Sequence, residues 1–367
     1  MADRFWVGGT ASWNGTATGK WSTTSGGASG AAEPVAADDV LFDGNSGTGT
    51  ITMDTTAGEC RSFNATGFTG TFTLGAVDWN IGDGTIGHFT LASGMTFTSG
   101  GNEFRDIIFK STVGTNNITT NGKVIPRECF FNGVGGTWQF QDAVTHTGGG
   151  LGAIITLQTG TLNTNGQSVS TDLFSSASGT TLTLGSTTFT LTQGDGTPWT
   201  FNAGATLTSN TSTISFTDTG TGQKAFSGGG KTYNNLSITG GGAGRILIQG
   251  SNTFAALPQI TGGTKNLRFT QATTQTYTGG ANFGNGSNLI TIDTIVAGSS
   301  ATLSRASGTF QVTSISLQDS AAAGGATWLA PSNNGNVDVS GNSGWDFTPT
   351  GGGGAGVQQN FTLLGVG

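Results

Sequence analysis

Two carboxyl groups held about 5 to 10 Å apart can hydrolyse a glycosidic bond, one giving a proton and the other acting as nucleophile or base. The carboxylates of this chain that lie near one another are Asp78 with Asp83, Glu103 with Asp106, and Glu128 with Asp142, the last pair reaching across coils. In a chain so rich in turn residues, an Asp side chain commonly accepts hydrogen bonds from its own turn, and the expectation is that these groups are structural. His88 and His146 are the two histidines. Neither stands beside a Ser or Cys that a base would activate, and the Gly-x-Ser-x-Gly elbow is absent from the sequence. Gly82-Asp83-Gly84-Thr85-Ile86-Gly87 matches the dinucleotide fingerprint letter for letter. A pyrophosphate needs a helix to open there, yet His88-Phe89-Thr90-Leu91 follows with the alternation of a strand. Asp43-Gly44-Asn45-Ser46-Gly47 lacks the spaced ligands and terminal Glu of a calcium loop and reads as a turn. Cys60 and Cys129 have no CxxC partner or nearby His, which excludes a zinc site. They are expected to be small buried side chains rather than a disulfide between adjacent coils. No catalytic group, cofactor or metal is expected.

The elements that would position any site follow from composition. The 367 residues include 66 Gly and 6 Pro, and 9% are charged. Surface helices need Ala, Leu, Glu, Lys and Arg on their exposed faces, and 13 Lys and Arg with 20 Asp and Glu are too few. Thr, Ser, Asn and Gly take the polar positions: Thr suits a pleated strand, and Gly and Asn suit the tight turns between strands. The 34% hydrophobic content, with 23 Phe and 8 Trp spread along the chain, is enough to build a core. The net charge is -7, with none of the Lys and Arg clusters that bind nucleic acid. No apolar run approaches the ~20 residues that cross a bilayer. Met1-Ala2-Asp3-Arg4-Phe5-Trp6 does not read as a secretory signal.

Short alternating runs recur between Gly, Asn and Asp: Gly70-Thr71-Phe72-Thr73-Leu74, Thr181-Leu182-Thr183-Leu184, Thr188-Phe189-Thr190-Leu191, Thr213-Ile214-Ser215-Phe216 and Arg245-Ile246-Leu247-Ile248. Period two marks strands with one buried face. Imperfect strand-turn units from about residue 50 to 345, without a compositional break, favour stacked coils in which each unit buries its face on its neighbours. The expected fold is all-β, a parallel β-helix or β-solenoid, with an array of β-sandwich domains as the alternative. Three parts are expected. Residues 1–48, with Trp6, Trp13 and Trp21, form a cap or an attachment surface. Residues 49–347 form the repetitive body, closed by Trp328 and Trp345. Residues 348–367 form a Gly-rich linker and an apolar peptide with Val357, Phe361, Leu363, Leu364 and Val366. That peptide either docks on a partner or folds back on its own chain.

Arg4-Phe5-Trp6-Val7-Gly8-Gly9-Thr10, then Trp13, Trp21-Ser22 and Asp38-Asp39-Val40-Leu41-Phe42-Asp43, resembles the start of many uncharacterised phage virion proteins. Gly228-Gly229-Gly230-Lys231-Thr232-Tyr233-Asn234-Asn235-Leu236 with Gly250-Ser251-Asn252-Thr253-Phe254 is similar to a coil of phage and bacterial-surface β-helical proteins. Ile315-Ser316-Leu317-Gln318-Asp319-Ser320, Ala326-Thr327-Trp328 and Gly341-Asn342-Ser343-Gly344-Trp345-Asp346-Phe347 resemble their ending, with Leu329 where those proteins usually have Tyr. The resemblance implies a non-enzymatic protein of the virion surface, made in the host cytoplasm: a fibre, tail appendage or capsid decoration. Its implied partners are other virion proteins and further copies of itself, a trimer by analogy with phage fibres, and a host-surface glycan. A polysaccharide depolymerase and a bacterial adhesin on the same fold are the alternatives. Trp79, Trp138 or Trp199, if exposed, would stack on sugar rings.

Overall fold

Thr at the outward positions and Phe, Leu or Ile at the inward ones let each short strand lie flat on the strand one coil earlier, and the chain repeats this from end to end. The computed structural model describes residues 1–350 apart from 14–18, 54–57, 102–104, 148–152, 241–243, 257, 262, 281–282 and 284–287. It is a parallel β-solenoid of about 13 turns, with one short 3-10 turn, Ser332–Asn334, among the described residues. Partners along a sheet are one coil apart. Ile155 lies beside Phe174 and Phe89 beside Ile118, so a coil is roughly 19 to 29 residues. The first 48 residues already belong to the stack: Asp3–Trp6 pairs in parallel with Asp39–Leu41, and Ala11–Ser12 with Thr50–Met53.

The widest sheet turns a corner without breaking in two consecutive coils, through the long strands Glu128–Phe140 and Ile154–Asn163. Glycine is required at that corner. A Cβ on Gly133 would lie 1.9 Å from the Ser111 carbonyl oxygen, and one on Gly160, whose φ is +75°, would lie 2.2 Å from that of Gly133.

The core is one continuous cluster running the length of the solenoid. Aromatic rings stack coil on coil from Trp6 to Phe140 and again from Phe174 to Trp345. Between the two stretches the interior is aliphatic, with Val144, Ile155, Leu157, Leu162 and Val169 all buried. Ring pairs such as Phe174 with Trp199, stacked at 4.6 Å, each add about 0.5 to 1.5 kcal/mol beyond the area they bury.

Candidate functional site

The strands Trp79–Ile81, Asp106–Phe109 and Glu128–Phe140 lie side by side, with Trp79 beside Ile107 and Ile107 beside Cys129. One residue earlier, this register brings Asp78, Asp106 and Glu128 into a single column on three successive coils, Asp106 being the direct partner of Glu128. Adjacent strands are about 4.8 Å apart, so neighbouring carboxylates repel. Asp78 relieves part of this by accepting the Asp106 backbone N–H at 3.2 Å. Burial, then the charge of Asp78, raises the Asp106 carboxyl, and burial, then the charge of Asp106, raises that of Glu128.

The positive charge behind the column is Arg127, wholly buried. It shares the inward parity of Cys129 and Phe131, but its guanidinium reaches the corner and donates to the carbonyls of Val77 at 2.7 Å, Ser99 at 3.3 Å, and Gly75. Burial lowers its pKa to about 10, against the raising pull of Asp78 and Asp106. The Arg127 carbonyl meets Nε2 of His146, whose Nδ1 lies 3.2 Å from the Thr171 hydroxyl. Burial drops His146 to about 4, while the bond to Arg127 and the charge of Asp172 oppose the fall. His146 therefore stays neutral and serves as an internal brace.

A second feature is a shallow groove of about 370 Å³ on the outer face of the early coils, lined by Asp39, Arg61, Asn64, His88, Asn117 and Thr119 among others. Arg61 is ion-paired with Asp39 and donates to the Ile86 carbonyl at 3.2 Å. The Asn117 backbone N–H donates to Nδ1 of His88 at 3.0 Å, so neutral His88 carries its proton on Nε2. Burial, then the Arg61 charge, lowers its pKa.

The structure separates the carboxylates that are close in sequence. Asp83 accepts the Thr85 N–H at 3.0 Å inside its own turn, and Asp142 accepts the Thr120 N–H at 2.8 Å. Glu103 lies outside the described residues. The glycine-rich match at Gly82–Gly87 is a loop running into the strand Phe89–Thr90, with the Gly87 N–H donating to Asn116 Oδ1 at 2.7 Å. Asp43 forms a turn, accepting the Asn45 N–H at 2.9 Å. Cys60 lies beside Ile81, Ile81 beside Phe109 and Phe109 beside Phe131. Three strand spacings, about 14 Å, thus separate the coil of Cys60 from that of Cys129, too far for a disulfide. Both thiols are free and buried, and burial raises both.

Of the residues expected at an attachment surface, Trp6, Trp13 and Trp21 are interior, with 0%, 1% and 3% of their surface exposed. The antiparallel pairing of Asp3–Trp6 with Trp21–Ser22 sets Trp6 and Trp21 edge to face at 5.1 Å, and Trp13 meets Trp21 at 5.0 Å. The three rings plug the first coils and offer no face to a partner. Val357, Phe361, Leu363 and Leu364 lie outside the described residues. Trp79, Trp138 and Trp199 are core residues, unable to stack on a sugar from outside. Trp328 is buried against half-buried Trp345 at 5.0 Å, at the last coil.

Sequence reasoning missed Arg127 and the carboxylate column. The parity of Arg127 with Cys129 and Phe131 was the available signal for the first. The column was hidden because its steps, 28 and 22 residues, follow no fixed period.

The fold and its sites define a parallel β-solenoid with a packed aromatic interior. No family model matches the chain, and no curated protein or solved structure matches it either.

Proposed function

We propose that this chain is a non-enzymatic structural protein of a bacteriophage surface, a fibre, tail appendage or capsid decoration, assembled with other virion proteins and with copies of itself as a trimer. The observation that carries the reading is the unbroken parallel stack, apolar inside and faced with Thr, Ser and Asn outside. Such a rod spends its sequence on length and surface rather than on a cleft. The resemblance of its two ends and of the Gly228–Phe254 coil to phage virion proteins supplies the setting. The groove beside Arg61 and His88, with charged, amide and hydroxyl groups at one face, suits a host-surface glycan as a further ligand. Mass spectrometry and reconstruction of purified particles test the proposal: the chain should be present in a fixed copy number on the exterior. A stable monomer that never accompanies particles overturns it. Within that reading, deletion of residues 349–367 should abolish particle incorporation of a decoration protein and leave that of a fibre held by its other end unchanged.

The column of Asp78, Asp106 and Glu128 favours a second reading, a glycan hydrolase. Neighbouring strand spacing is close to the carboxylate separation of retaining enzymes, and two members have raised pKa values, as a proton donor needs. Incubation with host capsule or lipopolysaccharide, read by new reducing ends, decides it. Release that Asp106→Asn abolishes establishes the enzyme, and no release removes it.

A further inference from the structure

The two ends of the stack are finished differently. At the start, the strand Asp3–Trp6 is covered by the antiparallel strand Trp21–Ser22, itself bridged to Ala31. At the other end, Val337–Ser340 is paired with Ile315–Gln318 on one side, and all four of its residues are exposed. Val337 and Val339 are 46% and 51% exposed, and Val339 falls at the register irregularity against Ile315–Gln318, where it has no partner. A bare edge carrying apolar side chains recruits another strand.

We propose that the chain supplies this strand itself. Phe361-Thr362-Leu363 pairs in parallel along the free edge of Val337–Ser340, with Phe361 beside Val337 and Leu363 beside Val339. The inference does not rest on the virion reading.

Three observations support it. First, the same tripeptide occurs three times in the body, as Phe72-Thr73-Leu74, Phe89-Thr90-Leu91 and Phe189-Thr190-Leu191. Each time it lies on or against a strand, with Phe and Leu wholly buried. Second, the spacing is that of a coil. Phe361 follows Val337 by 24 residues, the same interval that separates the register partners Trp138 and Leu162. Third, the chain is already held at the last coil. Asn333 Nδ2 donates to the Thr350 carbonyl at 2.9 Å, and the Thr350 N–H donates to Asn333 Oδ1 at 3.3 Å. From there Phe361 is eleven residues on, a reach of up to ~36 Å. Gly351 to Gly354 supply the bend.

Hydrogen exchange on the isolated full-length chain tests this against the full-length double variant Phe361→Ser with Leu363→Ser. Light scattering sets a concentration at which the chain is monomeric. The amides of residues 337–340 should exchange on the order of tenfold more slowly in the parent than in the variant, and equally so on further dilution. Equal exchange in the two chains overturns the proposal. Protection that appears only as the chain self-associates also overturns it, because the segment then binds another copy.

Discussion

Lowering the pH from 7 to 5 charges His146 in the unfolded chain and leaves it neutral in the folded one. Its ordinary value is 6.5, and burial holds it at about 4 in the solenoid. The unfolded state therefore binds more protons in this window. The stability contributed by the neutral imidazole is complete above pH 6.5 and falls away as the pH drops toward 4. At pH 5 the loss is about 2 kcal/mol, growing to about 3 kcal/mol near pH 4. Asp106 and Glu128 run the other way: their raised carboxyls favour the folded state at low pH and lose that advantage as the pH rises. The lowered pKa of exposed His88 adds a smaller, solvent-screened effect with the sign of His146. Comparing the parent with His146→Gln isolates the buried group from all three. Urea unfolding at pH 7 and pH 5 should show that the parent loses about 2 kcal/mol more than the variant between the two values, with the same denaturant slope in both. Equal pH dependence in the two chains would refute the argument, since it would mean that His146 is either solvated or charged in the folded state.

Trp199 lies between Phe174 and Phe226 and donates its indole N–H to the Tyr233 hydroxyl at 3.1 Å. Trp199→Ala should cost about 3 to 5 kcal/mol in urea or guanidinium unfolding, and a loss below ~1 kcal/mol would mean that the aromatic column is not continuous there. Gly133→Ala should lower stability by well over the ~1 kcal/mol by which Gly and Ala ordinarily differ, because the new Cβ meets a backbone carbonyl at 1.9 Å; a neutral result by thermal melting would contradict the tight corner. Cys60 and Cys129 should resist a thiol reagent in the native protein and both react after unfolding, since both are free and buried. Labelling of either at native pH 8 at the rate of a free thiol would overturn that placement. Asp106→Asn should bring the Glu128 carboxyl nearer its ordinary range, as followed by NMR titration, because the Asp106 charge raises it; an unchanged Glu128 would mean that burial alone sets its value.

Fold class was legible because it depends on local alternation, and alternation survives irregular coil lengths. Thr188-Phe189-Thr190-Leu191 reads as a strand from its own four residues, and the structure buries Phe189 and Leu191 while the threonines stay at the surface. Which residues become neighbours was not legible, because that depends on how many residues each corner consumes. Asp78 meets Asp106 rather than Asp83, and Glu128 meets Asp106 rather than Asp142. The tryptophans show another limit. Trp6, Trp13 and Trp21 stand in a Gly-rich segment with no long strand pattern, and only the antiparallel return of Trp21–Ser22 shows that they pack on one another. Inward cations were readable by parity alone. Lys224 alternates with Phe226, and Lys265 with Leu267 and Phe269; both lysines are buried, and Lys224 meets Asp218 at 2.8 Å.

Unequal ends give the molecule a polarity, and polarity limits how it can polymerise. A filament grows by head-to-tail contact, which needs an acceptor at one end and a donor at the other. Here the leading end is sealed by its own returning strand and the three indoles, so open-ended growth by coil stacking has no second surface to use. Two copies meeting through their trailing edges would be related by a two-fold axis and would stop at a pair. A three-fold assembly must therefore be built from the long Thr- and Asn-faced sides of the rod, leaving its ends free for other contacts.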